Sequence, residues 1–343
     1  IGFDFSDFGA FHNGTIEAGK MLLDAASRSW PEHIQIFVYM DEAAWNFHEL
    51  ERLPGIRRRS PNCHEFVDII IRVGQPFSRS AAKRLMTRAS IIGVFMLDTI
   101  AEDCGYLRIL MDDKIWHFIT RWSDVIFTNS EFTKNQYEKR YLFGRSTEIH
   151  VSQHSLTPDQ YRVAFEGTLV SRKFSHLGRG YVLVVGNKYF HKAMHSTLAK
   201  ISEAIPEMKF VALGYDLFES PNVYCVPSSL LSDADVDCLF GAAGCVVFPT
   251  HYEGFGFPLM HALARKKPIF VRPLPPFKEA ASKVSRGAEN IIWFSNSNEL
   301  VRLLASGTPE WIGASAVGEV DGWHRSASEI LMVLQRKFNE VRQ

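Results

Sequence analysis

The residues best suited to chemistry lie between Pro249 and Pro268, in the stretch PTHYEGFGFPLMHALARKKP. Just before it, Gly244-Cys245-Val246-Val247-Phe248 is a short apolar run rich in β-branched residues, the pattern of a buried strand. Just after it, Pro258 suits the first turn of a helix, where its missing N–H costs nothing. Leu259, Ala262 and Leu263 continue with helical spacing. Between strand and helix, Gly254 and Gly256 let the backbone turn sharply and come close to a ligand. The helix N-terminus behind them offers N–H groups and the positive end of a dipole, which suits a phosphate. Glu253 in the same loop is a poor phosphate ligand and a good acceptor for sugar hydroxyls. The loop is therefore read as built for a ligand with both phosphate and sugar. The competing reading is a plain glycine-containing connection in an α/β domain.

A second turn of this kind is Val185-Gly186-Asn187-Lys188-Tyr189-Phe190-His191-Lys192, which follows a strand pattern and opens a helical one. Lys192 can place a charge on a diphosphate, and Asn187 offers two donors and an acceptor. By itself this is most simply a solvated lysine turn; two anion-ready helix starts in one domain shift the balance. Asp98 follows the apolar run Ile91 to Met96 and is read either as a catalytic or acceptor-orienting carboxylate or as a cap for the next element. His12, His191, His251 and His261 fall near the same strand ends, but no pair has metal-ligand spacing, so no metal is expected. Arg57-Arg58-Arg59 reads as a solvated basic run, with contact to an anionic membrane surface or a lipid-linked acceptor as the minority reading. There is no long P-loop, no nucleophile elbow and no aromatic-basic interleaving of the kind that binds single-stranded nucleic acid.

These residues need elements to position them. In the first half, strands are expected at Ile1 to Phe5, Ile34 to Tyr39, Phe66 to Ile71, Ile91 to Met96, Val125 to Thr128 and Glu148 to Val151. Helices fall between them, one of them opened by a Ser130 cap and another running from Asp112 to Trp122. Continuous rather than alternating apolar character means a parallel sheet covered on both faces. Thr157 to Arg179 loses the pattern and reads as a connection between domains. A second alternation follows, with strands at Tyr181 to Val185, Lys209 to Leu213, Val223 to Val226, Pro268 to Val271 and Ile291 to Phe294, and a helix over Lys192 to Ile205. The expected layout is residues 1–165 as one doubly wound domain and 166–320 as a second, with 321–343 a last helix reaching back to the first. Two such domains facing each other make a cleft at the carboxyl ends of their strands.

At 343 residues the chain is long enough for both cores. Lysine plus arginine equals aspartate plus glutamate, 38 against 38, so nothing favours nucleic acid as a partner. Cys63, Cys104, Cys225, Cys238 and Cys245 are scattered without metal spacing and read as reduced core thiols of a cytoplasmic protein. No apolar run is long enough to span a bilayer and no signal-peptide pattern is present. The chain opens at Ile1, which reads as a trimmed chain or one module of a longer protein.

Leu231 to Pro268 resembles the donor-site core of the retaining glycosyltransferases of family four, which have the GT-B fold of two Rossmann-like domains. VGNKYFHK at Val185 to Lys192 is similar to the phosphate-binding turn of that family's mannosyltransferase-like branch. Thr128 to Lys134 and Asp321 to Ala327 are similar to its weaker landmarks. The resemblance implies a sugar transfer from a UDP- or GDP-linked donor to a glycan or lipid-linked acceptor in polysaccharide or glycoconjugate synthesis. It implies retention of anomeric configuration, no metal and no cofactor, the nucleotide sugar being a substrate, and a cytoplasmic site peripheral to the membrane for lipid-linked acceptors. It also implies that Glu253 contacts the sugar, that Gly186, Asn187, Lys192 and the Gly254-Phe255-Gly256-Phe257 backbone hold the diphosphate, and that the Gly14 turn closes on it. Three positions depart from the family: His261 replaces a glutamate that grips the ribose, Leu97 replaces a histidine before Asp98, and Lys266-Lys267 replaces a glycine before Pro268. We read His261 as still at the nucleotide. The alternatives are a nucleotide-sugar epimerase of similar fold and a non-catalytic sugar-nucleotide-binding module.

Overall fold

The computed structural model describes residues 1–76, 78–108, 113–144, 146–152, 154, 172–227, 231–283, 287–312 and 322–342. It divides into two compact units, Ile1–His154 with Asp321–Gln343, and Ser155–Val320. Most of the connection expected over Thr157 to Arg179, and the boundary expected at 165/166, fall in residues 155–171, outside the described residues.

The first unit holds β1 (Gly2–Asp4), β2 (Ile36–Tyr39), β3 (Ile56–Arg59), β4 (Val67–Val73), β5 (Ala89–Met96), β6 (Val125–Thr128) and β7 (Glu148–Val151). All pair in parallel, in the order β3-β2-β1-β4-β5-β6-β7. Six of these strands were legible as apolar runs. β3 was not: Arg57-Arg58-Arg59, read as a solvated run, forms an edge strand in which Arg57 and Arg58 are exposed and Arg59 is half-buried. Arg59 lies with its guanidinium 3.6 Å from the centre of the Phe37 ring, and its Nη1 donates to the Tyr39 hydroxyl at 3.1 Å. Neighbouring aromatics thus accept the charge on one side, while exposed Arg57 and Arg58 block further strand addition at the edge.

The last helix, Gly322–Arg342, packs in this unit. The Trp30 indole donates to the Ala327 carbonyl at 2.9 Å, and Leu334 sits against Gly93 of β5. Arg336 and Lys337 both pair with Glu148 of β7, at 2.5 and 2.7 Å. The Arg336 hydrogen bond in particular holds the Glu148 carboxyl far below the usual carboxylate range.

The second unit holds β8 (Val182–Val185), β9 (Phe210–Leu213), β10 (Val223–Val226), β11 (Cys245–Phe248), β12 (Ile269–Val271) and β13 (Ile291–Trp293), again all parallel, in the order β10-β9-β8-β11-β12-β13. The described end of the expected connection, Arg172–Leu177, is a short 3₁₀ turn whose Phe174 and Leu177 enter the core of this unit. Of the cysteines, all free, only Cys245 is buried; the other four are half-buried, so the reading of them as core thiols holds for one.

Candidate functional site

From β8 the chain builds outward to β9 and β10, then returns to place β11 on the other side of β8. Ligands of doubly wound sheets bind at this reversal, outside the carboxyl ends of the two strands. The loops leaving those ends are the two singled out by sequence, and the fold stitches them together. The backbone N–H of His251 donates to the His191 carbonyl at 2.7 Å. The Thr250 hydroxyl lies 3.3 Å from the same carbonyl and 2.8 Å from that of Tyr252. Across this seam the Lys192 ammonium and the Glu253 carboxylate form an ion pair, with side chains only 17% and 14% exposed. The ammonium also sits 5.6 Å over the Phe248 ring.

Local backbone explains why these residues lie here. Gly256 has φ +98°, and a Cβ there would stand 2.3 Å from a ring carbon of Phe277, so only glycine fits. It opens the helix Phe257–Ala264, with Pro258 in its first turn. Lys192 closes a 3₁₀ turn, Phe190–Lys192, and the helix expected from Lys192 begins only at Met194. The break is Ala193, in the left-handed region at φ 52°. For a non-glycine residue such backbone costs on the order of 1–3 kcal/mol and concentrates at ligand sites. Asn187 shapes the turn, its Oδ1 accepting from the Tyr189 N–H at 3.1 Å. The helices Asp233–Ala242 and Ser297–Ala305 are capped by the side chains of Ser232 and Asn296. The helices Met194–Ala204 and Phe257–Ala264 begin with no side-chain cap, which leaves their positive ends facing the reversal point.

His261 lies one turn into the helix Phe257–Ala264. Arg265 Nη1 donates to its Nδ1 and to its carbonyl, each at 3.1 Å. Arginine can only donate, so Nδ1 is the acceptor. The imidazole ring packs 5.7 Å from the Phe240 ring, and the buried Arg265 pairs with Asp237 on the neighbouring helix. Lys266 takes φ 55°, a conformation that favours glycine, and Lys267 Nζ caps the carbonyls of Gly241 and Ala243 at 2.7 and 2.8 Å.

In the first unit the reversal lies between β1 and β4. Gly14 opens the helix Gly14–Ser29, and Asn13 Oδ1 accepts from the Ile16 N–H at 2.8 Å. Asp98 follows β5 and Leu97; its Oδ1 accepts from Gln75 at 2.7 Å and from the Ile100 N–H at 3.0 Å, so a capping function is visible. His12 packs 5.1 Å from the Phe47 ring. A network that sequence reading missed ties this end together: buried Asp4 and Arg72 pair at 2.9 Å, and Asp7 bridges Arg72 and Arg84 at 2.8 and 2.6 Å. Asp4 and Arg72 alternate into apolar runs as single charges, and nothing in either run shows that they meet. Among the described residues, no group of three or more His, Cys, Asp or Glu is placed to hold a metal, and no helix is long and apolar enough to cross a membrane.

Burial, with the charges of Lys192 and His251 beside it, pushes the His191 imidazole down to about 4 from its ordinary 6.5. The unfolded chain takes up a proton near 6.5 and the folded chain withholds it until about 4, so stability falls across that window as pH falls. The slope from this residue is at most about 1.4 kcal/mol per pH unit. Urea unfolding of the second unit at pH 7 and pH 5 checks it: His191→Gln is expected to flatten the difference, and an unchanged difference counts against the assignment.

No protein-family model matches the chain. The serotype-specific mannosyltransferase WbdA of Escherichia coli is 30% identical over 82 residues, 24% of this chain and 9% of WbdA. The chain therefore spans a small part of that relative. Among solved structures, sucrose-phosphate synthase from Thermosynechococcus elongatus superposes with a TM-score of 0.66 at 14% identity, covering 99% of each chain. Anabaena Alr3699/HepE in complex with UDP and glucose gives 0.61 at 14% identity, covering 100% of this chain and 99% of that one. The UDP-GlcNAc 2-epimerase of Methanocaldococcus jannaschii gives 0.56 at 14% identity over 91% and 96%. The likeness is one of fold: this chain has the two parallel-sheet α/β units of the GT-B glycosyltransferases.

Proposed function

We propose that the chain is a glycosyltransferase that moves a sugar from a UDP- or GDP-linked donor to a hydroxyl of a glycan or lipid-linked acceptor. The observation that carries this is the Lys192–Glu253 pair at the β8/β11 reversal, flanked by two helix N-termini without side-chain caps. Among fold neighbours, HepE is described with UDP and glucose, which supports a nucleotide sugar as donor. Lys192, Gly186, Asn187 and the backbone from Gly254 to Phe257 are assigned to the diphosphate, and Glu253 to the sugar hydroxyls. His261 is assigned to the ribose end, Gly14 to the donor and Asp98 to the acceptor.

The chemistry follows from charge. As the bond between the anomeric carbon and the phosphate oxygen breaks, negative charge grows on the diphosphate, where Lys192 and the helix dipoles stabilise it. The acceptor oxygen bonds to the same face of the sugar, and its proton passes to the departing phosphate oxygen. Configuration is retained, no protein base is required, and neutralisation by Lys192 makes a metal unnecessary. In the free protein Glu253 holds Lys192; the donor diphosphate takes over the ammonium and releases the carboxylate to the sugar.

The epimerase reading draws on the neighbour of that activity, and the binding-module reading on the His261 and Leu97 departures. Labelled UDP- and GDP-sugars, incubated with and without oligosaccharide acceptors, separate them. Acceptor-dependent product supports transfer, acceptor-free isomer supports epimerisation, and binding alone supports the module. Glu253→Gln sharpens the assignment. It frees Lys192, so affinity for the bare nucleoside diphosphate is expected to rise about fivefold, as a partly buried pair worth ~1 kcal/mol implies, while transfer is lost. Calorimetry showing weaker binding of the bare nucleotide by this variant would sink the exchange of partners.

A further inference from the structure

Arg272 directly follows β12, and its side chain is buried. Its Nε donates to the Pro249 carbonyl at 3.0 Å and its Nη1 to the Ser295 carbonyl at 2.7 Å. Pro249 is the first residue after β11, and Ser295 lies just past β13, so one guanidinium ties together the carboxyl ends of three adjacent strands. The Phe294 ring lies 5.0 Å from the guanidinium carbon. No carboxylate among the described residues pairs with it, and burial lowers its pKa. A buried charge without a counter-charge is costly, and a neutral side chain could cap a carbonyl at less cost. Tying off strands is therefore a poor account of an arginine here. Its place is more informative. The clamped carbonyl belongs to the residue before Thr250 and His251, and those two hold the His191 carbonyl beside Lys192. Glu253 follows two residues later.

We propose that Arg272 is a positioning residue for the transfer: it fixes Pro249, keeps Thr250 and His251 on the His191 carbonyl, and so aligns Glu253 with Lys192. The inference rests on the assignment of those two residues to the donor. Arginine suits the task because its rigid, planar fork fixes the directions of the N–H groups it presents to two carbonyls, whereas a lysine's donors turn on a flexible stem.

The test compares Arg272→Lys and Arg272→Met with the wild-type chain. Hydrogen exchange without ligand is expected to show amides 250–257 exchanging about tenfold faster or more in both variants, with β8 and β9 keeping wild-type protection, the mark of a local opening. With the nucleotide sugar that the wild type uses, kcat is expected to fall about 10- to 100-fold, the scale of a small misplacement. Unchanged protection of 250–257 overturns the proposal. So does a loss of protection spread evenly over the second sheet, which would make Arg272 a core clamp and nothing more. If the methionine variant does not fold, the lysine variant decides. A wild type that uses no nucleotide sugar defeats the proposed function, and the exchange data still decide whether Arg272 holds the loop.

Discussion

Lys192→Ala is expected to lower the rate of sugar transfer by about 100- to 1,000-fold, the loss measured when one donor to a developing oxyanion is removed. That scale applies because the Lys192 ammonium is brought across the seam onto the Glu253 loop. Its charge acts in a place from which water is partly excluded, where a charge-assisted contact counts for more than at the surface. The ion pair adds a second consequence. Removing the ammonium takes away the charge paired with the partly buried Glu253, so the variant is also expected to be less stable by about 1 kcal/mol. Rates must therefore be compared well below its melting temperature. Steady-state kinetics with the preferred donor decides: a rate within about threefold of wild type, far short of a lost oxyanion donor, would make Lys192 a structural partner of Glu253 only.

The largest effect on stability is expected from Arg265. Its guanidinium is almost fully buried and reaches Asp237, itself 13% exposed, on the neighbouring helix. Arg265→Met removes one half of a buried pair and leaves a carboxylate without its counter-charge, a change that typically costs about 3–5 kcal/mol. For a unit of this size that corresponds to a fall in melting temperature of roughly 10 °C. Arg265→Met combined with Asp237→Leu removes both charges and is expected to recover most of the loss, because an apolar pair of similar volume often replaces a buried ion pair at little cost. A double variant as unstable as the single one would show that the stabilisation lies in packing on the Phe240 ring, 5.4 Å from the guanidinium carbon. The variant bears on the site as well, since Arg265 also orients His261.

Much of this architecture was legible because the physics behind it is local. A continuous run such as Val246-Val247-Phe248 can only be satisfied inside a parallel sheet, and the following glycines and proline prescribe a turn into a helix. The Ser130 cap was readable for the same reason, being a bond between residues three apart. Local signals therefore sufficed for most of the elements, β3 excepted, and for the two loops at the reversal point.

What they could not settle is who meets whom. Arg57-Arg58-Arg59 becomes a strand because Phe37 and Tyr39 stand beside it, and those rings lie about twenty residues away. Lys192 and Glu253 were assigned to separate parts of a ligand, and only the placing of β11 against β8 makes them partners across 61 positions. Arg272 drew no notice in the sequence. A single arginine after a strand has no periodicity to betray it, and its two carbonyls lie 23 residues before and after it. Composition and spacing report on neighbours along the chain, whereas ion pairs and buried donors are satisfied by neighbours in space. Sequence alone therefore determined most of the elements and the two loops at the reversal point, and the order of strands in the sheet decided which of their side chains share a charge.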